Sequence, residues 1–74
     1  MISNSDIKSI IAETFNLNVE DVSDSAAMGS LRGWDSIGHL NLMQSLSEQC
    51  NKEVPFDQVT ELVDLKALVH FFNA

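Results

Sequence analysis

Cysteine occurs once, at Cys50, so no internal disulfide can form and the fold does not rely on an oxidising compartment. Proline also occurs once, at Pro55, and tyrosine not at all. Positive charge is scarce: four Lys and Arg stand against eleven Asp and Glu, a net charge of −7. That balance argues against nucleic acid, whose binding is dominated by cationic contacts to phosphate, and favours partners that present basic patches. No apolar run is long enough to span a membrane, and the start Met1-Ile2-Ser3-Asn4-Ser5-Asp6 lacks the basic and apolar stretches of a signal peptide. The expectation is a cytoplasmic monomer without membrane insertion, with residues 1–74 forming a single domain. A domain of this size buries only about 60–65% of its unfolded surface. It therefore has little room for an enclosed active site.

What is present is helical patterning. Ile7, Ile10, Ile11 and Phe15 fall on one face of an amphipathic helix, with Ser3 or Ser5 as candidate caps and Asp6 in the first turn. The helix is expected over about 4–16. Residues 17–35 read as a long loop anchored by Leu17, Val19, Val22, Met28 and Leu31 and punctuated by Gly29 and Gly33; loops of that length in small domains are often functional. A second helix is expected over 36–50, on a stripe of Ile37, Leu40, Met43, Leu46 and Cys50 widened by Leu42. Val54-Pro55 interrupts it. A short third helix is expected at about 57–61. A fourth, over 65–73, has Asp64 as its cap and Leu65, Leu68, Val69 and Phe72 on its apolar face. The pattern describes an all-α bundle of three main helices and one short one.

Nothing in the chain assembles a catalytic or metal site. Asp35, Ser36 and His39 are neighbours in sequence, but Asp35 beside Ser36 cannot form a relay in which the base lies between nucleophile and acid. His39 and His70 fall on different helices, and Cys50 has no CxxC partner. Glu20, Asp21 and Asp24 lack the spacing of a calcium loop and read as a solvated acidic face.

Ser36 is more informative. A serine at a helix start is usually a cap, yet Asp35 caps as well and comes one residue earlier, which would leave the Ser36 hydroxyl free in the first turn. The positive end of a helix suits a phosphate at that position. Gly38 is the second oddity, because glycine inside a helix costs about 1 kcal/mol relative to alanine. Two residues beyond Ser36, it would clear ground beside the hydroxyl for the surface of another protein, with simple tolerance of glycine near a helix end as its other reading.

Asp35-Ser36-Ile37, opening an amphipathic helix after a long loop, resembles the Asp-Ser-Leu motif of acyl and peptidyl carrier proteins. The resemblance extends to length, acidity, the Ile-rich first helix, the Val54-Pro55 break and the Leu65–Phe72 helix. It implies a small acyl-carrier-like four-helix bundle that performs no chemistry itself. It implies that Ser36 receives 4′-phosphopantetheine from coenzyme A through a phosphopantetheinyl transferase, with Asp35 assisting recognition or the metal at the transferred phosphate. The further partners it implies are an acyl- or aminoacyl-loading ligase and downstream transferases. Ile37 matches a position of partner contact, with a place in the core as its other reading.

The chain also departs from bacterial fatty-acid carriers. Its second helix reads Gly38, His39, Asn41, Gln44, Ser45 and Ser47 between the apolar residues, with Glu48 its one charged side chain. Charge steering through that helix should be weak. Trp34 and Phe56 add aromatic surface near the expected docking face, each either a partial plug of the core or, if exposed, an anchor for partners. The pattern GWDSIGHLNLM resembles carriers of specialised pathways, among them surface polysaccharide or modified-sugar assembly, polyketides and nonribosomal peptides. The competing reading is a helical interaction module without a prosthetic group, in which Ser36 is only a cap or a phosphorylation site.

Overall fold

The residues that start the three long helices are side-chain caps in the strict sense. In a computed structural model that describes residues 2–73, α1 spans Asn4–Phe15, α2 Ser36–Cys50, α3 Phe56–Val59 and α4 Leu65–Phe72. Ser3 and Asp6 form a reciprocal capping box at α1: the Ser3 hydroxyl accepts from the Asp6 N–H at 3.1 Å, and the Asp6 carboxylate accepts from the Ser3 N–H at 2.9 Å. That bonding holds the Asp6 carboxyl below its ordinary pKa. Asp35 caps α2 and Asp64 caps α4, each through an oxygen that accepts from the N–H three residues on, at 2.8 and 2.7 Å. Asn16 and Asn51 end α1 and α2 in the left-handed region, at φ 57° and 52°, a conformation asparagine tolerates better than most residues.

The helix limits differ from those expected by one or two residues. Asn16 is the cap of α1 rather than its last turn, and α4 stops at Phe72. The short helix is Phe56–Val59, not 57–61: it starts directly after Pro55 and gives way to a tighter turn in which the Gln58 carbonyl accepts from the N–H groups of both Glu61 and Leu62. The stretch 17–35 includes a 3₁₀ turn at Val19–Asp21.

Ile7 and Ile11 of α1, Leu42 and Leu46 of α2, and Leu65 and Leu68 of α4 meet in one fully buried cluster. The long loop contributes to it as well. Val22, Ala26 and Trp34 are buried, and the loop pairs with the approach to α4 through Met28 N–H to Val63 O and Leu65 N–H to Ala26 O, both 2.8 Å. At the chain ends, the Asn73 amide clasps the Ile2 backbone, accepting at 2.9 Å and donating at 2.7 Å.

One expected stripe is out of phase. The core face of α2 is His39, Leu42, Met43 and Leu46, whereas Ile37 and Leu40 are 74% and 54% exposed. Residues 39, 42, 43 and 46 step by three and four along a helix, and a polar residue among them hid the true phase. Cys50 is half-buried beside this face, and its thiol pKa is pushed up by burial first and by the Asp6 charge second. A thiol so placed is a poor nucleophile.

Candidate functional site

The loop delivers Trp34 inward and Asp35-Ser36 outward. Gly29 and Gly33 hold φ of 93° and 89°, values that side chains rarely adopt, and the Gly29 N–H donates to the Trp34 carbonyl at 2.7 Å. Trp34 is then 1% exposed, its ring centroid 6.1 Å from those of both Phe15 and His39, and its indole N–H donates to the His39 ring. This corrects the reading of Trp34 as a partner contact: the indole is core, and its N–H is satisfied inside the protein.

Asp35 and Ser36 sit side by side with divided roles. One Asp35 oxygen is taken by the Gly38 N–H, so Asp35 and not Ser36 is the cap of α2. Ser36 is exposed, and its hydroxyl makes no hydrogen bond among the described residues. At the first and second positions of the helix, the N–H groups of Ser36 and Ile37 have no intrahelical acceptor. An exposed hydroxyl beside open N–H donors at the positive end of a 15-residue helix fits an oxygen that bears a phosphodiester.

Gly38 also needs correction. It is buried, and a Cβ built on it would lie 1.8 Å from the Gly33 carbonyl oxygen and 3.0 Å from the Phe15 ring. The space it clears is for the loop's own backbone, which crosses the first turn of α2 at a separation no side chain permits. Gly38 thus sets the approach of the loop and faces no partner.

His39 is turned away from Ser36 and into the protein. It is 4% exposed, with Nδ1 2.9 Å from the Trp34 indole nitrogen and Nε2 2.7 Å from the Val59 carbonyl oxygen. Both ring nitrogens are engaged, so the imidazole is no base for Ser36. It ties the loop, α2 and α3 together. Only its register with Leu42, Met43 and Leu46 marks it in the sequence, and that signal reads as a core position rather than as a function.

Around Ser36 the surface is apolar. Met28, Ser36, His39, Leu40, Phe56, Val59, Thr60 and Val63 line a groove of about 320 Å³ between α2 and α3. Phe56 is 84% exposed, and with Ile37 and Leu40 it gives the Ser36 end of the molecule three projecting apolar side chains. Leu40 is the site residue that the expected stripe concealed. Among the described residues no cluster of three or more His, Cys, Asp or Glu could hold a metal ion. No described helix is long and apolar enough to cross a membrane.

Comparison with known proteins places this geometry in a family. The family described as phosphopantetheine attachment site matches residues 5–72. The acyl carrier protein of Wolinella succinogenes is 27% identical over 68 residues, covering 92% of this chain and 90% of that protein. Members of the family work with a phosphopantetheinyl transferase and with the biosynthetic enzymes they serve. An exposed, unbonded serine at a capped helix start is what attachment of such a group requires, and the chain belongs to the phosphopantetheine carrier family, as a carrier of covalent 4′-phosphopantetheine rather than a catalyst.

Proposed function

We propose that the Ser36 oxygen is the attachment point, and that this chain ferries an acyl or aminoacyl group between the enzymes of a specialised pathway. The single observation that carries the proposal is the division of labour at the start of α2. Asp35 supplies the cap, and the neighbouring Ser36 hydroxyl is left exposed and unbonded within the matched family segment. When attached, the group supplies a flexible arm whose terminal thiol holds the cargo as a thioester. The competing role of Ser36 as a helix cap loses its basis, because Asp35 occupies it.

Asp35 has a second task in this proposal. Its Oδ1 is held by Gly38, while Oδ2 makes no hydrogen bond among the described residues and would be left to assist recognition by the transferase or the metal at the transferred phosphate. Docking runs through apolar contact at Ile37, Leu40 and Phe56, because α2 carries no acid except Glu48. Exposed aromatic and aliphatic anchors of this kind carry much of the binding energy at interfaces. The partners are thus the transferase, a loading ligase and downstream acyl- or aminoacyl-transferases that present complementary apolar surfaces.

The decisive experiment treats the apo protein with coenzyme A and a broad-specificity phosphopantetheinyl transferase and reads the intact mass. One pantetheine-sized increment is expected, absent in Ser36→Ala. In Asp35→Asn, where the cap is preserved because asparagine caps as well as aspartate, transfer should slow while the helix content stays unchanged. An increment that persists in Ser36→Ala would end the proposal.

A further inference from the structure

The Ser36 groove raises the question of how far an attached chain can penetrate the protein. Its walls are apolar at Met28, Leu40, Phe56, Val59 and Val63, and beyond them lies the buried cluster around Leu42 and Leu46. His39 belongs to both regions. It lines the groove, yet it is almost fully buried and lies nearly coplanar with the core indole of Trp34, at an interplanar angle of 19°, edge to edge through their hydrogen bond.

The hydrogen bonds of His39 allow only one protonation pattern. An indole N–H can only donate and a backbone carbonyl can only accept. The imidazole therefore accepts from Trp34 at Nδ1 and donates from Nε2 to the Val59 carbonyl, as a single neutral tautomer. An apolar chain moving inward between α2 and α3 would have to displace the ring from one of these partners. That would strand a buried polar group, and a hydrocarbon has no hydrogen bond to offer in exchange.

Resting on the assignment of Ser36 as attachment point, we propose that His39 is a specificity-determining residue for the cargo. It is a polar bolt across the gap between α2 and α3 that keeps an acyl chain in the surface groove and out of the core. The carrier then suits short or polar cargo, including aminoacyl groups, presented in the open to the next enzyme. A long alkyl chain gains no shelter here.

The test loads the protein, through the transferase, from acetyl-, octanoyl- and palmitoyl-coenzyme A, each transfer releasing adenosine 3′,5′-bisphosphate, and follows two readouts. One is the rate of thioester cleavage by hydroxylamine; the other is the NMR resonance of the Trp34 indole N–H together with the nitrogen shifts of His39. In the wild type, cleavage should be independent of chain length, and the Trp34 and His39 resonances should stay in place. In His39→Leu, the palmitoyl thioester should be cleaved about tenfold more slowly than the acetyl one, the factor given by about 1.4 kcal/mol of sequestration. His39→Gln, which keeps one acceptor and one donor, should restore the flat series.

Palmitoyl protection in the wild type, or a Trp34 resonance that moves with chain length, overturns the proposal. So does a flat series in a folded His39→Leu protein. Should His39→Leu fail to fold, the wild-type series decides by itself. Failure to gain any pantetheine increment overturns the Ser36 assignment and this inference with it, and the intact mass separates that case from failure of the inference alone.

Discussion

The loop between α1 and α2 and the short helix α3 flank the same groove and are built in opposite ways. The loop has almost no regular structure, yet it buries Val22, Ala26 and Trp34 and is bonded at Met28 and Ala26 to the segment entering α4. Helix α3 is regular but has no buried residue, and Phe56 at its start is the most exposed large apolar side chain among those described. Its ties to the bundle include the packing of Val59 against the core and the bond from His39 to the Val59 carbonyl. Firmness in this protein follows burial and cross-links rather than helical geometry. The firm wall positions Asp35 and Ser36, and the loosely held wall leaves Phe56 exposed beside them.

The hold of the loop on the core rests most heavily on Trp34. Trp34→Ala removes a buried indole and strands His39 Nδ1, and substitutions of this kind cost about 3–5 kcal/mol. For a domain whose total stability falls in the usual range of roughly 5–15 kcal/mol, a large drop in the urea midpoint is expected. A loss near zero would mean that the loop is no part of the core.

Gly38→Ala comes next, because two effects of opposite sign compete there. Helix propensity alone would stabilise the variant by about 1 kcal/mol. The clash with the Gly33 carbonyl, at 1.8 Å for an added Cβ, forces the backbone of the loop away, and overpacking of this kind typically costs about 1–3 kcal/mol. A net loss is expected from denaturant titration. A net gain would show that the loop does not need its close approach to α2.

Hydrogen exchange sharpens the contrast without mutation. The amides of Met28 and Leu65, which cross-link the loop to the start of α4, should exchange more slowly than those of Gln58 and Glu61 around α3. The physical basis is that segments with few buried contacts open at lower free energy. Equal protection would place α3 and the loop in one cooperative unit.

The smallest effect lies at the acid end of the pH range. Asp6 is lowered by its bonds to Ser3 and Asp24 by its bond and charge interaction with Lys8. Their folded pKa values lie below the unfolded ones, so their contribution is complete above the ordinary carboxylate range and fades as the pH falls through the folded values. Both groups are exposed, which keeps the contribution small. Asp6→Asn should lower thermal stability slightly at neutral pH, and the difference from the wild type should vanish as the pH falls through the folded value of Asp6.

Helices announce themselves in this chain through local chemistry, and their limits were legible to within one or two residues. Ser3, Asp35 and Asp64 cap because their short side chains reach N–H groups three residues on, whatever the rest of the protein does. The same locality made Ser36 legible: with Asp35 one residue earlier, the serine had no structural duty at the helix start. Trp34 stayed open between core plug and partner anchor, and Gly38 was misread as a partner contact, for the opposite reason. An aromatic ring or a missing side chain has the same local meaning at a surface as in a core, and only what packs against it decides.

By itself, therefore, the sequence determined the helical class, the three capped starts, the acidity and a free hydroxyl at the head of α2. Tertiary structure decided the phase of α2, because His39 is polar by composition and becomes a core residue only when Trp34 and the Val59 carbonyl satisfy its two nitrogens. It also decided what Gly38 is for, since the Gly33 carbonyl comes against it only when the loop folds back. Both are contacts between segments, and no pattern within either segment encodes the distance across which they meet.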